Sequence, residues 1–416
     1  MKNNFRSVRL GELASVFAGG DKPKKFSKVK TSIFNVPVYA NGETNDGLQG
    51  YTTEAKVNEI AVTVSARGTI GYPVLRTKPY VPIVRLITLV PKNEKLNVTF
   101  LYYFLKLYRQ KGIGSSQAQL TVPDISNRLI QVSDLSVQES VAKVLTELDS
   151  KIELNNKINS ELESMAKLIY DYWFMQFDYP NEDDKPYKSS GGKMIYNEEL
   201  NREIPEGWEV GELAFWIDRD KSGDWGKEKS EGNYIEKVSC VRGADINGLN
   251  GQGEVKAPER YILNKNSHKI LEAGDLIIEI SGGSPTQSTG RLGYIIDSTL
   301  ERFENPLICS NFCRAITLAD RKYIYNFIQL WNRLYNAGVL FGWEGKTSGI
   351  KNLLFDSFIS NYLQPIPEYK LVEKYYDKVN PIYTKIQHNL KENEKLVELR
   401  DWLLPMLMNG QVTVKP

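Results

Sequence analysis

Residues 63–74, TVSARGTIGYPV, combine side chains that can hydrogen-bond to a nucleic acid with a backbone that could present them. The pattern predicts a strand, a turn containing Gly68 and Gly71, and a second strand, so that Arg67 and Thr69 stand in the turn. An arginine can bind a guanine through two hydrogen bonds or hold a phosphate, and the glycines would let the backbone approach a duplex closely. The alternative interpretation is an ordinary hairpin with a solvated arginine.

A comparable polar loop occurs in residues 278–295, IEISGGSPTQSTGRLGYI, where a strand opens into small polar residues before another strand. Such a loop has no apolar side chains that would order it by packing. It is therefore either a disordered surface loop or a surface that becomes ordered when a partner binds. Further polar or basic segments are 21–30, 112–121, 218–230 and 342–349. The candidate DNA-binding residues of all these segments are Lys24, Lys25, Arg67, Thr69, Gln117, Gln119, Lys221, Trp225, Thr286, Gln287, Thr289, Arg291 and Lys346.

The distribution of charge favours nucleic-acid binding more clearly in one half of the chain than in the other. The net charge of the 416 residues is only +2. Residues 1–135 contain 19 Lys and Arg against 9 Asp and Glu, a balance of +10, whereas residues 207–360 contain 18 against 20, a balance of −2. A basic segment such as 21–30 fits phosphate contacts, although it also fits a solvated loop. We therefore expect the isolated chain to bind DNA weakly.

Sequence motifs for catalysis are missing. No G-x-G-x-x-G follows a predicted strand, and the Asn/Asp-Pro-Pro-aromatic motif of amino-methyltransferases is absent. The GKT at 345–347 lacks the preceding glycine of a phosphate loop, because Leu340 stands at that position, and the acidic segment 180–185 is typical of a linker. Three cysteines and two scattered histidines do not form a zinc pattern. These features predict a chain that is not an enzyme, with no catalytic residue, no metal site and no cofactor of its own.

A duplication supplies the elements that would position the polar loops. KIELNNKINSEL at 151–162 returns as KIQHNLKENEKL at 385–396 with six identical positions, and GELA at 11–14 returns at 211–214. The repeated unit is far longer than the repeats of solenoids or propellers, so it is a whole domain with a helix. Alternating strands such as EIAVTVSA and helix-like segments such as FLYYFLKLYRQ predict a mixed α/β (α+β) fold inside each domain.

The repeated segments lie in two long predicted helices. Residues 137–174 lack Pro and Gly and carry an apolar seam at steps of three and four that includes Asn155 and Met165. Such a helix would be roughly 55 Å long. Residues 372–404 show a similar seam, which Pro381 is expected to kink or interrupt. Two helices with narrow seams most simply pair as an antiparallel coiled coil with a pseudo-twofold repeat.

The aromatic end of the first helix, LIYDYWFMQFDYP at 168–180, contains more apolar surface than a two-helix seam needs. It either packs against the adjacent domain or docks a partner protein. The candidate docking residues are Tyr170, Tyr172, Trp173, Phe174, Trp402 and Leu403.

The helical and linker motifs resemble those of the specificity subunit of type I restriction-modification systems. AKLIYDYWFMQFDYP at 166–180, EIPEGWEVGELA at 203–214 and LRDWLLPMLMNGQV at 399–412 support the resemblance, which covers essentially the whole chain. It implies a first target recognition domain at 1–135, a central spacer helix at 136–180, a linker and second recognition domain at 181–360, and a C-terminal spacer helix at 361–416. Each domain would recognise one half of a split sequence in double-stranded DNA, and the coil would hold the halves at a fixed separation.

The resemblance also implies partners. Two modification subunits would methylate adenine N6 of the bipartite target, and motor-nuclease restriction subunits would cleave unmodified DNA, so that the complex would need S-adenosylmethionine, ATP and Mg²⁺. The N-terminus has no apolar run and no stretch is long enough to span a membrane, which predicts a cytoplasmic protein without a membrane partner. The alternatives are a self-sufficient enzyme, a coiled-coil scaffold without a nucleic-acid role, and an orphan or phase-variable specificity subunit without a nuclease partner.

Overall fold

A computed structural model describes residues 5–92, 95–109, 119–284, 286–347, 349–412 and 414, without the side chains of residues 346 and 347. The chain divides into two compact units. The first unit comprises Met1–Ile152 with Lys395–Pro416, and the second comprises Glu153–Glu394. Each of the two long helices begins in one unit and ends in the other.

The elements of the N-terminal part of the chain run as far as the first long helix. The strands are β1 (Arg6–Arg9), β2 (Ala14–Ala18), β3 (Val36–Tyr39), β4 (Leu48–Thr52), β5 (Ala61–Val64), β6 (Pro73–Arg76), β7 (Val81–Pro82), β8 (Ile87–Pro91) and β9 (Leu129–Val132). The helices are α1 (Leu10–Leu13), α2 (Val98–Leu107), α3 (Val122–Ser126) and α4 (Leu135–Tyr170).

The remaining elements follow after a five-residue π-helical turn, Asp171–Met175. The strands are β10 (Met194–Asn197), β11 (Arg202–Pro205), β12 (Glu209–Glu212), β13 (Ile217–Ser222), β14 (Tyr234–Val241), β15 (Glu259–Leu263), β16 (Asp275–Glu279), β17 (Ser281–Gly282), β18 (Leu292–Tyr294), β19 (Leu307–Cys309), β20 (Cys313–Leu318), β21 (Glu344–Thr347), β22 (Ile350–Leu353) and β23 (Leu363–Ile366). The helices are α5 (Ile246–Leu249), α6 (Asp297–Leu300), α7 (Ile324–Asn336), α8 (Phe355–Ile359) and α9 (Tyr369–Met408).

The two units repeat the same strand order. The first unit has a four-stranded sheet β2-β8-β5-β6, a three-stranded sheet β4-β3-β7 with a parallel β3–β7 pair, and the pair β1-β9. The second has β13-β20-β16-β18, β15-β14-β19 with a parallel β14–β19 pair, and β12-β23. Helices α2 and α3 of the first unit correspond in order to α7 and α8 of the second. The predicted fold class, mixed α/β with two globular parts and two long helices, is confirmed.

Local sequence signals start the helices that support the first unit's core. Asn97 precedes α2 and accepts hydrogen bonds from the backbone N–H groups of Thr99 and Phe100, both at 2.9 Å. Thr121 and Asp124 form a reciprocal capping box at the start of α3. The buried face of α2 includes Phe100, and it joins the apolar faces of the four-stranded sheet in one core.

The long helices contact each other in both units, and their pairing in the second unit is antiparallel. In the second unit, Asn155 Nδ2 donates to Asn393 Oδ1 at 2.9 Å and Asn389 Nδ2 donates to Asn159 Oδ1 at 2.8 Å. In the first unit, Arg400 Nη1 lies 2.8 Å from Asp149 Oδ1. Asn155 and Asn389 are equivalent positions of the sequence repeat, as are Asn159 and Asn393, so the repeat relates the two buried amide pairs to each other.

Two details of the helices differ from the prediction. Helix α9 continues through Pro381, because buried Val379, Tyr383 and Ile386 hold the chain on either side of it. The predicted seam of α4 also includes Met165, which is exposed, whereas the next residue, Ala166, is buried. A helical turn of 3.6 residues drifts relative to a strict heptad, which moves the buried line across the helix surface.

The aromatic end of α4 packs inside the second unit. Tyr170, Trp173 and Phe174 are buried in one core with Trp208 and Tyr375. The ring of Phe174 meets that of Tyr375 edge-on, with ring centroids 5.0 Å apart, and lies 6.2 Å from the ring of Trp208. The prediction that Tyr170, Trp173 and Phe174 dock a partner is therefore wrong for the described structure, because the adjacent domain already covers them.

Candidate nucleic-acid interface

The polar segments of the first unit leave its four-stranded sheet at one end. Ala18, the last residue of β2, and Val64, the last residue of β5, both lie opposite Ile87 of β8. The segment after β2 carries Lys24 and Lys25, which are exposed, and the segment after β5 carries Arg67 and Thr69. The register of the strands therefore places the starts of both segments at the same end of the sheet.

Arg67 connects two of the predicted recognition segments. Its Nε and Nη2 atoms lie 3.3 and 3.0 Å from Gln119 Oε1, so the turn after β5 is joined to the segment before α3. Arg109 supports the same turn by donating to the backbone oxygens of Thr69 and Ile70 at 3.3 and 3.1 Å. The Arg67 side chain is exposed, which leaves it accessible to a ligand. Gln117 lies outside the described residues.

Gly68 and Thr69 define the tip of this turn. Gly68 has a φ of +69°, which glycine adopts readily, and a Cβ there would meet no atom of the described residues within 4 Å. The Thr69 hydroxyl is buried and has no hydrogen-bond partner among the described residues. Within the described part of the chain, the space beside Gly68 is therefore open, whereas Thr69 is partly enclosed.

The second unit places its polar segments in the same way. Ser222 of β13 and Ile278 of β16 both lie opposite Arg314 of β20, so the segments after these strands leave the sheet at one end. The segment after β13 contains Trp225, whose ring lies 4.3 Å from the guanidinium carbon of Arg260. The loop after β16 contains Thr286 and Gln287, which are exposed.

Three predicted DNA contacts of the second unit occupy structural positions instead. Lys221 is buried and its Nζ lies 2.8 Å from Asp275 Oδ2. Thr289 is buried and its backbone N–H and hydroxyl both donate to Glu344 Oε1, at 2.8 and 3.1 Å. Arg291 forms a two-point ion pair with Glu279. We revise the interpretation of these three residues, because their polar groups are used inside the protein.

The pKa shifts at these ion pairs favour the charged forms. The hydrogen bonds to Glu279 raise the pKa of Arg291. Burial acts to raise the pKa of Glu344, but the hydrogen bonds from Thr289 and from Lys351 outweigh it, and the pKa lies below its usual range. Glu279 and Glu344 are therefore each paired with a neighbouring cation.

Sequence reasoning missed Arg109, Tyr335, Glu344 and Lys351. Tyr335, on α7, accepts a hydrogen bond from Gln287 Nε2 at 3.2 Å, and Lys351 Nζ lies 3.2 Å from Glu344 Oε2. Arg109 follows α2, Tyr335 lies near the end of α7, and Glu344 and Lys351 lie in the hairpin after α7, all far along the chain from the loops they support. The side chain of Lys346, a predicted contact in the same hairpin as Glu344, lies outside the described residues.

Two equivalent apolar stripes remain exposed on the long helices. On α4, Met165, Leu168 and Tyr172 just beyond its end are 52%, 67% and 38% exposed. In the register of the repeat these positions correspond to Leu399, Trp402 and Met406 of α9, of which the first two are 43% and 58% exposed. Leu403 instead packs partly against the first unit's core. Of the predicted docking residues, Tyr172 and Trp402 are therefore the accessible ones.

The described part of the chain contains no group of three or more His, Cys, Asp or Glu residues arranged to hold a metal ion. Within the same residues, no helix is both long and apolar enough to cross a membrane.

Comparison with known proteins assigns the family. The family model described as "Type I restriction modification DNA specificity domain" matches residues 2–164. A Mycoplasma pneumoniae protein that is named provisionally as the C-terminus of a type I specificity subunit is 38% identical over 124 residues, which cover 30% of this chain and 84% of that protein. This chain belongs to the type I specificity-subunit family.

Other relatives of the specificity-subunit family match longer or different parts of the chain. A second M. pneumoniae protein, also named provisionally as a type I specificity subunit, is 37% identical over 174 residues, which cover 41% of this chain and 51% of that relative. The chain thus spans about half the length of that relative, and 40% of a third from the same organism. The MjaIX specificity subunit of Methanocaldococcus jannaschii is 23% identical over 384 residues, and the match covers 87% of this chain and 82% of that subunit.

The fold agrees with a solved member of the family. The crystal structure of the type I restriction-modification S subunit from M. genitalium superposes with a TM-score of 0.64 at 16% identity. The match covers 97% of this chain and 96% of the other. It supports the two-unit fold with its long helices.

Proposed function

We propose that this chain is the DNA sequence-specificity subunit of a type I restriction-modification complex and that each unit recognises one half of a bipartite target. The observation that carries the proposal is the recurrence of one arrangement in both units. In the first unit the segments that follow β2 and β5 leave the four-stranded sheet at one end, and in the second unit the segments that follow β13 and β16 do the same. Membership of the specificity-subunit family supports the nature of the ligand.

The residues proposed to face double-stranded DNA at these ends are Lys24, Lys25, Arg67 and Gln119 in the first unit and Trp225, Thr286 and Gln287 in the second. Thr69, whose hydroxyl is buried, and Lys346, whose side chain lies outside the described residues, stay predictions from the sequence. Arginine and glutamine can each make two hydrogen bonds to a base edge, whereas lysine supplies phosphate contacts without sequence information.

The chain would direct chemistry that its partners perform. We propose that two modification subunits dock on the two exposed stripes, Met165–Leu168–Tyr172 and Leu399–Trp402–Met406, and methylate adenine N6 after flipping the base out of the duplex. When restriction subunits are also bound, the same recognition would direct them to cleave DNA that is unmodified. The complex, acting in the cytoplasm, would draw on S-adenosylmethionine, ATP and Mg²⁺ bound by those partners.

A domain exchange tests the proposal. Either recognition domain is replaced by that of another family member, and N6-methyladenine is mapped across the genome of cells that express the hybrid with its modification subunits. We expect a two-part methylated motif in which only one half changes. A change of both halves would refute two independent reading units, and no motif with the natural chain would refute the specificity role in that host.

A further inference from the structure

The base of the second unit's candidate recognition loop is closed by an ion pair. Glu279 is the last residue of β16 and Arg291 immediately precedes β18. Arg291 Nε lies 2.8 Å from Glu279 Oε2, and Arg291 Nη2 lies 2.6 Å from Glu279 Oε1. Both side chains are largely buried. A pair with two parallel hydrogen bonds fixes orientation as well as distance.

Backbone hydrogen bonds also join the two ends of the loop at this ion pair. The N–H of Glu279 donates to the oxygen of Arg291 at 2.9 Å, and the N–H of Gly290 donates to the oxygen of Glu279 at 2.8 Å. The first unit shows the same backbone closure between Ser65, Gly71 and Tyr72, where Ser65 and Tyr72 stand in place of the ion-paired Glu279 and Arg291. Its arginine, Arg67, is instead exposed at the tip of the turn.

A second anchor fixes the end of the loop to the hairpin of β21 and β22. Glu344 Oε1 accepts hydrogen bonds from the Thr289 backbone N–H at 2.8 Å, the Thr289 hydroxyl at 3.1 Å and the Ser288 hydroxyl at 3.2 Å. Lys351 balances the charge of Glu344 and also donates to the backbone oxygen of Gln287 at 3.4 Å. The loop is therefore held at its base and along its returning side, while Thr286 and Gln287 remain exposed.

We infer that Glu279, Arg291 and Glu344 are positioning residues that set the base preference of the second unit by holding Gln287 in place, and that Arg291 itself does not contact DNA. The inference rests on the proposed function. The two units then use arginine differently, since Arg67 is placed to meet the ligand and Arg291 organises the loop that does so. A loop fixed before binding loses less conformational entropy on binding and discriminates between bases more sharply.

The test compares Glu279→Gln, Arg291→Gln and Glu344→Gln in the full chain expressed with its modification subunits. The matched control is Asp297→Asn, which breaks the exposed pair of Asp297 with Arg321 at the opposite end of the same sheet. Base preference is read from the genome-wide N6-methyladenine motif. We expect all three variants to lower the preference in one half of the motif by roughly tenfold while the other half and the control stay unchanged.

The pair Glu279→Gln and Arg291→Gln separates positioning from direct contact. If Arg291 bound DNA, Glu279→Gln would free its guanidinium and keep or strengthen binding, whereas Arg291→Gln would weaken binding of the purified complex and reduce its salt dependence. That contrast would overturn the inference. Loss of preference in both halves, in step with a lower melting temperature, would also overturn it, because it would indicate a purely structural role.

Hydrogen exchange provides a readout that does not depend on the proposed function. We expect faster amide exchange within residues 280–291 of the DNA-free chain in the three variants but not in Asp297→Asn. Unchanged amide exchange in the three variants would contradict the inference that Glu279, Arg291 and Glu344 hold the loop. If the natural chain yields no two-part motif, the proposed function fails, and the exchange rates still decide whether Glu279, Arg291 and Glu344 hold the loop.

Discussion

At the scale of single residues, we expect Arg67 to contact a base. It is exposed, it lies beside Gly68, and Gln119 orients its guanidinium. We expect Arg67→Gln to reduce the preference for one base pair of one half-site by about 1–3 kcal/mol, the range for a two-point arginine contact. Competition binding of the assembled complex with targets that differ at single base pairs measures this loss.

The control for Arg67 is Arg9→Gln, which removes an equal charge from the exposed strand β1, before β2 begins. It should leave the preference unchanged. The Arg67 variant could instead lose affinity equally for all targets, with the slope of log K against log salt concentration reduced by about one. That result would assign Arg67 to a phosphate contact.

The ion pair of Glu344 with Lys351 gives a residue-scale prediction for pH. Because the hydrogen bonds of Glu344 lower its pKa in the folded chain, its stabilising effect is present above the unfolded pKa of about 4.3 and is lost as the pH falls through the folded value. The free energy of unfolding should therefore differ between the natural chain and Glu344→Gln at pH 7. Urea unfolding should show this difference shrinking below pH 4.3; a difference that is independent of pH would contradict the assignment.

Residue types predicted the recognition segments but not the partners of each side chain. Lys221 and Arg291 have the chemistry of DNA contacts, and only strand pairing places an acidic residue beside each of them. The pairing of β20 with β13 and β16 brings Lys221 to Asp275, and the pairing of β16 with β18 brings Arg291 to Glu279. The spacing of residues in the sequence does not encode which strands pair or in which register. Among the described residues Arg67 is hydrogen-bonded to Gln119 and not to a carboxylate, and its side chain is exposed as predicted.

At the scale of elements, the buried asparagines should fix how the long helices pair in the second unit. Asn389→Leu would leave Asn159 Oδ1 buried without its donor and should cost about 1–3 kcal/mol in the free energy of unfolding. Replacing both residues by leucine should recover most of that loss, since two apolar side chains leave no unpaired polar group. Urea unfolding of the two single variants and the double variant measures the coupling, and additive losses would contradict it.

The helices show which properties of an element the sequence encodes locally. The run without Pro or Gly and the apolar steps predicted α4 within a few residues of its bounds, Leu135–Tyr170. The exact buried line was not predictable, because it depends on which domain surfaces cover the helix. Trp173 and Phe174 are buried by Trp208 and Tyr375 of the second unit, whereas Met165 has no such cover.

At the scale of the whole molecule, the duplication is far clearer in strand order than in sequence. Both units keep the same four-stranded and three-stranded orders, yet the sequence identities lie mainly in the helices and in GELA. Strand order depends on apolar alternation that many residues satisfy. The loops at the sheet ends differ between the units, as Arg67 and the Glu279–Arg291 pair do, and the proposed recognition of two different half-sites would require such a difference.

The same duplication predicts the stoichiometry of the complex. If each exposed stripe docks one modification subunit, Leu168→Asp should abolish one docking surface and Trp402→Asp the other, because a carboxylate within an apolar contact is desolvated without a partner. Each single variant should then bind one modification subunit, and the double variant none. Native mass spectrometry of the co-expressed complex counts the bound subunits directly.

The matched control is Ile195→Asp, which places the same charge on another exposed apolar residue, on strand β10. It should retain two modification subunits. If either single variant lost both subunits while remaining folded, docking would be cooperative rather than independent. If the double variant kept both, the stripes would not be the docking surfaces, and the exposed apolar residues of α4 and α9 would need another explanation.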